Sequence, residues 1–140
     1  MAVFQMSRRV RFADTDPAGI VYFPRYFVMT NDLVEEWFAD GLDLPYRKIF
    51  EEGVRAVPLL RVEAKFSAPS RLGDMLDFSL AVSRLGTKSF GLNIAAHCAG
   101  ETRLVTQQAS AWARRDGGTI RAEAIPPEIR ARMEEYLENP

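Results

Sequence analysis

The sequence predicts an α+β fold in which one long helix lies on one face of a five-stranded antiparallel sheet. Three observations carry this. Apolar residues recur at helical spacing between Arg25 and Asp40. Beyond Gly53 the period changes to two and holds over four segments. The connectors between those segments are short and rich in turn-forming residues, as in antiparallel hairpins.

The elements follow in order. Gln5 to Ala13 reads as a short strand with basic residues on one side. The helix takes Arg25 to Asp40: Tyr26, Met29, Leu33, Val34, Trp37 and Phe38 form one stripe, while Asp32, Glu35, Glu36 and Asp40 take the opposite side. Pro24 suits its first turn, and Gly41 is a natural stop. Leu44 to Gly53 is a connector with a short helical turn. Leu60, Val62, Ala64 and Phe66 then alternate with Arg61, Glu63 and Lys65. Leu76, Phe78, Leu80 and Val82 alternate with Asp77, Ser79 and Ser83, and Phe90, Leu92, Ile94 and Ala96 with Ser89, Asn93 and His97. Leu104 to Arg114 supplies the last strand. The glycines at Gly117-Gly118 read as a turn, and Pro126-Pro127 opens a short charged helix to about Glu138.

With 140 residues the chain fits a single domain, residues 1–140. A net charge of −1 gives no electrostatic basis for binding nucleic acid or an anionic membrane. No apolar run approaches the ~20 residues of a membrane span, and the start MAVFQMSRRVRF lacks the apolar core of a secretory signal. The single cysteine, Cys98, has no internal disulfide partner, in keeping with a cytoplasmic location. The single histidine, His97, lies in a predicted strand with Cys98 on the opposite face, so nucleophile–histidine catalysis has no evident frame. A zinc site lacks ligands, the carboxylates Asp14 and Asp16 alone make a weak cation site, and no phosphate-cradling motif appears. No metal or cofactor is expected.

The stretch DTDPAGIVYFPRYF remains, from Asp14 to Phe27. Pro17 biases Asp16 toward extended backbone, Gly19 lets the chain bend, and a helix begins near Phe23-Pro24. Unpaired N–H groups and the positive end of the helix dipole then face the loop. Such an end stabilises an oxyanion, and a nearby carboxylate can activate water or attack a carbonyl. Acyl transfer or hydrolysis needs those two parts. Asp16 as a turn or cap residue is the competing reading.

The motif resembles the signature loop of the 4-hydroxybenzoyl-CoA thioesterase family, acyl-CoA thioesterases of the hotdog fold. The spacing D-x-D-P-A-G-I-V, followed by aromatic-Phe/Tyr-Pro-x-Tyr, carries the resemblance. It continues through Gly53-Val54, Val57-Pro58-Leu59 and Lys88-Ser89-Phe90. It implies a hotdog fold, a sheet wrapped on one long helix, and hydrolysis of an acyl-CoA thioester, with an aromatic acyl group the leading case. The resemblance makes Asp16 the catalytic carboxylate and gives the thioester oxygen to the backbone N–H of Phe23. It assigns Tyr46, Val57, Pro58 and Leu59 to substrate contact and Lys88 and Ser89 to coenzyme A. Asn31 stands where the 4-hydroxybenzoyl enzyme has an Asp directed at the ring hydroxyl. A homodimer or tetramer of dimers is implied, with acyl-CoA the other partner. An aliphatic acyl-CoA thioesterase and a non-catalytic acyl-CoA-binding hotdog protein are the alternatives.

Overall fold

The computed structural model describes residues 2–138. The chain runs β1 (Phe4–Arg9), a 3-10 turn (Phe12–Asp14), α1 (Phe23–Glu36), α2 (Tyr46–Phe50), β2 (Arg55–Ala56), β3 (Leu59–Phe66), β4 (Met75–Leu85), β5 (Ser89–Cys98), β6 (Glu101–Ala111), β7 (Ala113–Asp116), β8 (Thr119–Ala122) and α3 (Pro127–Glu134). The main sheet has the order β1-β4-β5-β6-β3, with every pair antiparallel.

The helical stripe is the core. Tyr26, Met29, Leu33, Val34, Trp37 and Phe38 are all buried, against Leu76, Phe78, Leu80, Phe90, Leu92 and Ile94 of the two central strands. Burial of each large side chain contributes roughly 1.5–3 kcal/mol, which outweighs the weak helix propensity of so many aromatics. The β5–β6 connection is a two-residue turn with both central residues, Ala99 (φ 51°) and Gly100 (φ 82°), in the left-handed region. That conformation matches the sheet's twist.

The structure departs from the sequence-based boundaries in several places, among them the long helix, which starts at Phe23 rather than Arg25, and the last helix, which stops at Glu134 rather than near Glu138. The first strand ends at Arg9, and the next residues enter the 3-10 turn. The long helix widens into a π turn over Trp37–Gly41, where the Leu42 N–H reaches back to the Trp37 carbonyl at 2.9 Å. Gly41 is required there by contact: a Cβ would lie 2.6 Å from Cδ1 of Trp37. The segment Leu104 to Arg114 is two strands. The N–H groups of Ala111 and Trp112 turn to the Pro58 and Lys88 carbonyls, and β7 continues in a second sheet of order β2-β7-β8. No helix among the described residues is long and apolar enough to cross a membrane.

Strand β3 pairs with β6 along one edge and stands at the end of the sheet. It carries Leu59, Leu60 and Phe66 at 54%, 60% and 46% exposure.

Candidate active site

Residues Asp16 to Gly19 form a tight turn. The Gly19 N–H donates to the Asp16 carbonyl at 2.9 Å, the Asp16 N–H donates to the Ile20 carbonyl at 3.0 Å, and Gly19 sits at φ 78°. Asp, Pro and Gly each occupy the position that this turn favours. Oδ1 of Asp16 accepts the Ala18 N–H at 2.9 Å, so the turn role is real. Oδ2 has no protein partner among the described residues, and the side chain is half-buried.

Asp14, two residues earlier, has the opposite fate. It is 1% exposed, and its carboxylate accepts the Arg11 N–H (2.9 Å) and the guanidinium groups of Arg25 (3.0 Å) and Arg8 (3.4 Å). Its carbonyl accepts the Tyr22 N–H at 2.9 Å. One carboxylate of the pair thus pins the loop to β1 and α1, leaving the other available.

Helix α1 starts at Phe23 with Tyr22 as N-cap and no side-chain cap. Pro24 has no N–H, and the Arg25 N–H goes to the Tyr22 carbonyl. The Phe23 N–H is left without an acceptor among the described residues, at the positive end of the helix. Beside it Ile20, Val21, Phe23, Tyr26 and the segment Phe66 to Pro69 enclose an open cleft of about 580 Å³.

A second, smaller cavity of about 80 Å³ lies further along α1. It gathers four of the sequence-assigned residues, Asn31, Tyr46, Val57 and Leu59, together with Phe27 and Val34. Pro58 does not line it; its carbonyl accepts the Ala111 N–H at 3.1 Å and ties β3 to β6. Tyr46 packs against Phe38 and Phe50, and burial, with Glu35 nearby, pushes its hydroxyl up to about 12. The phenol is therefore a standing donor at any working pH. A raised acid pKa stabilises the folded form below the ordinary value of 10, and that contribution fades as pH rises toward 12. Tyr46→Phe should accordingly lose less stability than wild type between pH 10 and 12, read as urea midpoints. Tyr136, raised in the same direction by burial, remains in both proteins as the shared background.

Lys88 and Ser89 are elsewhere. Lys88 is exposed, its carbonyl takes the Trp112 N–H at 2.9 Å, and Ser89 Oγ accepts from Arg84 at 3.1 Å. Ser89 faces Ala111, beside the Leu59–Ser110 pair, so both sit at the Leu59 end of the sheet. The Asp16 loop joins the Ser70–Leu72 segment beyond the Phe66 end. Eight strand residues, roughly 25 Å, separate the two ends within one chain. His97 lies on the sheet face away from α1, opposite Asp77 and 3.2 Å from Thr102 Oγ1, whereas Cys98 packs on the core. No metal-binding cluster of His, Cys, Asp or Glu occurs among the described residues.

Sequence reasoning missed Thr30, Gln108 and Ser110, which also line the small cavity. For Gln108 and Ser110 the signal was the polar inner alternation of β6; Thr30, on α1, carried none.

Residues 10–133 match the model of the thioesterase-like superfamily. A 1,4-dihydroxy-2-naphthoyl-CoA hydrolase of Synechocystis sp. is 33% identical over 90 residues, 64% of each chain, so the match spans under two thirds of that relative. The 4-hydroxybenzoyl-CoA thioesterase of Pseudomonas sp. strain CBS-3 is 28% identical over 130 residues, 86% of this chain and 90% of that protein. The solved structure of a 1,4-dihydroxy-2-naphthoyl-CoA thioesterase from Synechocystis superposes with a TM-score of 0.86 at 24% identity, covering 96% of this chain and 97% of the other.

Proposed function

The chain belongs to the thioesterase-like superfamily and has its hotdog fold, and on that premise we propose that it hydrolyses an acyl-CoA thioester with an aromatic acyl group to the free acid and CoA. One observation carries the reading. An unpaired N–H at the start of α1 and a carboxylate with a free oxygen stand on one short loop–helix junction. The named substrates of both relatives, hydroxylated aryl-CoA esters, support it.

The thioester carbonyl oxygen accepts the Phe23 N–H, whose field grows more favourable as the oxygen gains charge. With Asp16 as base, water gives it a proton and attacks the carbonyl carbon. The C–S bond then breaks, and the proton passes to the departing thiolate. With Asp16 as nucleophile, its carboxylate makes the same attack, and the C–S bond breaks to expel the CoA thiolate and leave an anhydride. Water cleaves that anhydride to the free acid and the Asp16 carboxylate, giving up the proton that the thiolate takes. Solvent ¹⁸O entering the Asp16 carboxylate after a single turnover marks the second route.

Scale favours an aryl group. Phe23 and Asn31 are eight residues apart on one helix, a rise of about 12 Å. That is about the length of a 4-hydroxybenzoyl group with a hydrogen bond at each end. Asn31 offers an uncharged amide to the far end of the ring. Asn31→Asp should shift preference toward the 4-hydroxybenzoyl ester by ~1–2 kcal/mol, the scale of a hydrogen bond to a charged group. Free-thiol release from benzoyl- and 4-hydroxybenzoyl-CoA measures it, and an unmoved ratio removes Asn31 from the site.

The edge of β3 is the docking surface for a second copy in this reading. Its exposed Leu59, Leu60 and Phe66 and its unpaired backbone edge suit an isologous contact. An antiparallel β3–β3 pairing sets the Phe66 end of one chain against the Leu59 end of the other. Lys88 of the partner subunit then approaches the Asp16 loop, where the CoA phosphates emerge. Lys88→Ala should raise KM several-fold with kcat little changed, since that contact is equal in ground and transition states. High salt should shrink the difference.

A further inference from the structure

The small cavity along α1 has a polar floor that thioester hydrolysis does not require. On the inner face of the sheet, β4 presents Leu76, Phe78, Leu80 and Val82, and β5 presents Phe90, Leu92, Ile94 and Ala96, all buried. Strand β6, by the same alternation, presents Leu104, Thr106, Gln108 and Ser110. A strand packed beneath a helix should read as apolar at each of these positions. Thr106 Oγ1 is buried without a partner, and Ser110 is only 6% exposed. The Gln108 and Ser110 side chains make no hydrogen bond among the described residues, and both line the cavity. Thr106 lies off the cavity, whereas the half-buried Gln108 amide and the Ser110 hydroxyl open onto it, so a ligand that fills the cavity and displaces water there must pair with them or leave them unsatisfied.

The chemistry of that occupant is constrained. Asn31 and Tyr46 bound the cavity from the helical side, Gln108 and Ser110 from β6, and none of its lining residues is charged. A ring carboxylate would meet no counter-charge and would lie near Glu35, which already acts on Tyr46. A neutral hydroxyl can both donate and accept, as can a carboxamide with its separate N–H and C=O.

We propose that Gln108, backed by Ser110, is a specificity-determining residue that pairs with a second ring hydroxyl, on the side of the ring away from Asn31. The preferred acyl group is then a dihydroxylated aryl ring, read from the helix by Asn31 and from the sheet by Gln108. This rests on the small cavity being the acyl site of the proposed thioesterase.

The test is kcat/KM by free-thiol release for benzoyl-, monohydroxybenzoyl- and dihydroxybenzoyl-CoA positional isomers, with wild type, Gln108→Leu and Ser110→Ala. Wild type should favour one dihydroxylated ester over benzoyl-CoA. Gln108→Leu should cut that ratio about tenfold, mainly through KM, as expected for one neutral hydrogen bond lost from the bound state. Ser110→Ala, which removes one oxygen and keeps the fold if Gln108→Leu does not, should move it the same way by a smaller factor. Ratios unmoved in both variants, with hydrolysis intact, overturn the role of Gln108 and leave the thioesterase reading standing. A wild type that hydrolyses none of the aryl esters overturns both.

Discussion

Asp16→Asn should lower kcat for the best aryl-CoA ester by on the order of 10²-fold or more, the scale at which a positioned base or nucleophile begins to contribute. The substitution keeps the shape of the side chain, and the amide oxygen can still accept the Ala18 N–H that holds the turn. The half-buried side chain makes no ion pair among the described residues, so folding stability should change by under about 1 kcal/mol. The signature is a large loss in kcat at nearly constant melting temperature and little change in substrate Kd. Steady-state kinetics beside a thermal melt and a binding isotherm read all three. Turnover at the wild-type rate would return Asp16 to the turn role alone.

Asp14→Ala should do the reverse, unfolding the loop before it touches the chemistry. The Asp14 carboxylate is 1% exposed and joins Arg8 of β1, Arg25 of α1 and the Arg11 N–H. Removing one member of a buried ionic cluster leaves the others unpaired, at a cost of roughly 3–5 kcal/mol where all are buried. Arg8 and Arg25 keep 21% and 35% of their side-chain surface in water and can turn outward, which brings the expected loss to about 2–3 kcal/mol. In a chain of this size that lowers Tm by on the order of 10 °C at fixed protein concentration. Activity should fall with it, because residue 14, freed from Arg8 and Arg25, no longer holds its backbone carbonyl firmly against the Tyr22 N–H that sets the entry to α1. A variant melting within a degree or two of wild type would show that the arginine cluster is energetically idle.

The two aspartates mark the boundary of what the sequence could tell. Their spacing and the following Pro, Gly and aromatic residues identify the loop. Which of them is buried depends on Arg8 and Arg25, which come from a strand and a helix on either side. The stripe from Tyr26 to Phe38 was readable because helical periodicity is local, and so were the strands with Leu76–Val82 and Phe90–Ala96. Gly41 looks like a helix stop, but contact with the Trp37 ring accounts for it. The break at Trp112 is invisible locally, because the carbonyls that capture its N–H and that of Ala111 belong to Lys88 and Pro58. Lys88 shows the same limit at larger scale. Its motif spacing is plain, yet only the strand order places it at the end of the sheet remote from Asp16, where the proposed function has a partner subunit supply it.

In the proposed function the junction of the Asp16 loop with α1 hydrolyses aryl thioesters. The most direct measurement is kcat/KM of the wild-type protein for benzoyl-CoA against heptanoyl-CoA, a straight-chain ester with the same number of acyl carbons. Preference for the aryl ester by about tenfold or more is predicted, because Phe27, Tyr46 and Val34 line a short cavity that a flat ring fills and a flexible chain enters only by losing rotamers. Equal or faster hydrolysis of heptanoyl-CoA would show that the site is not shaped for an aryl group.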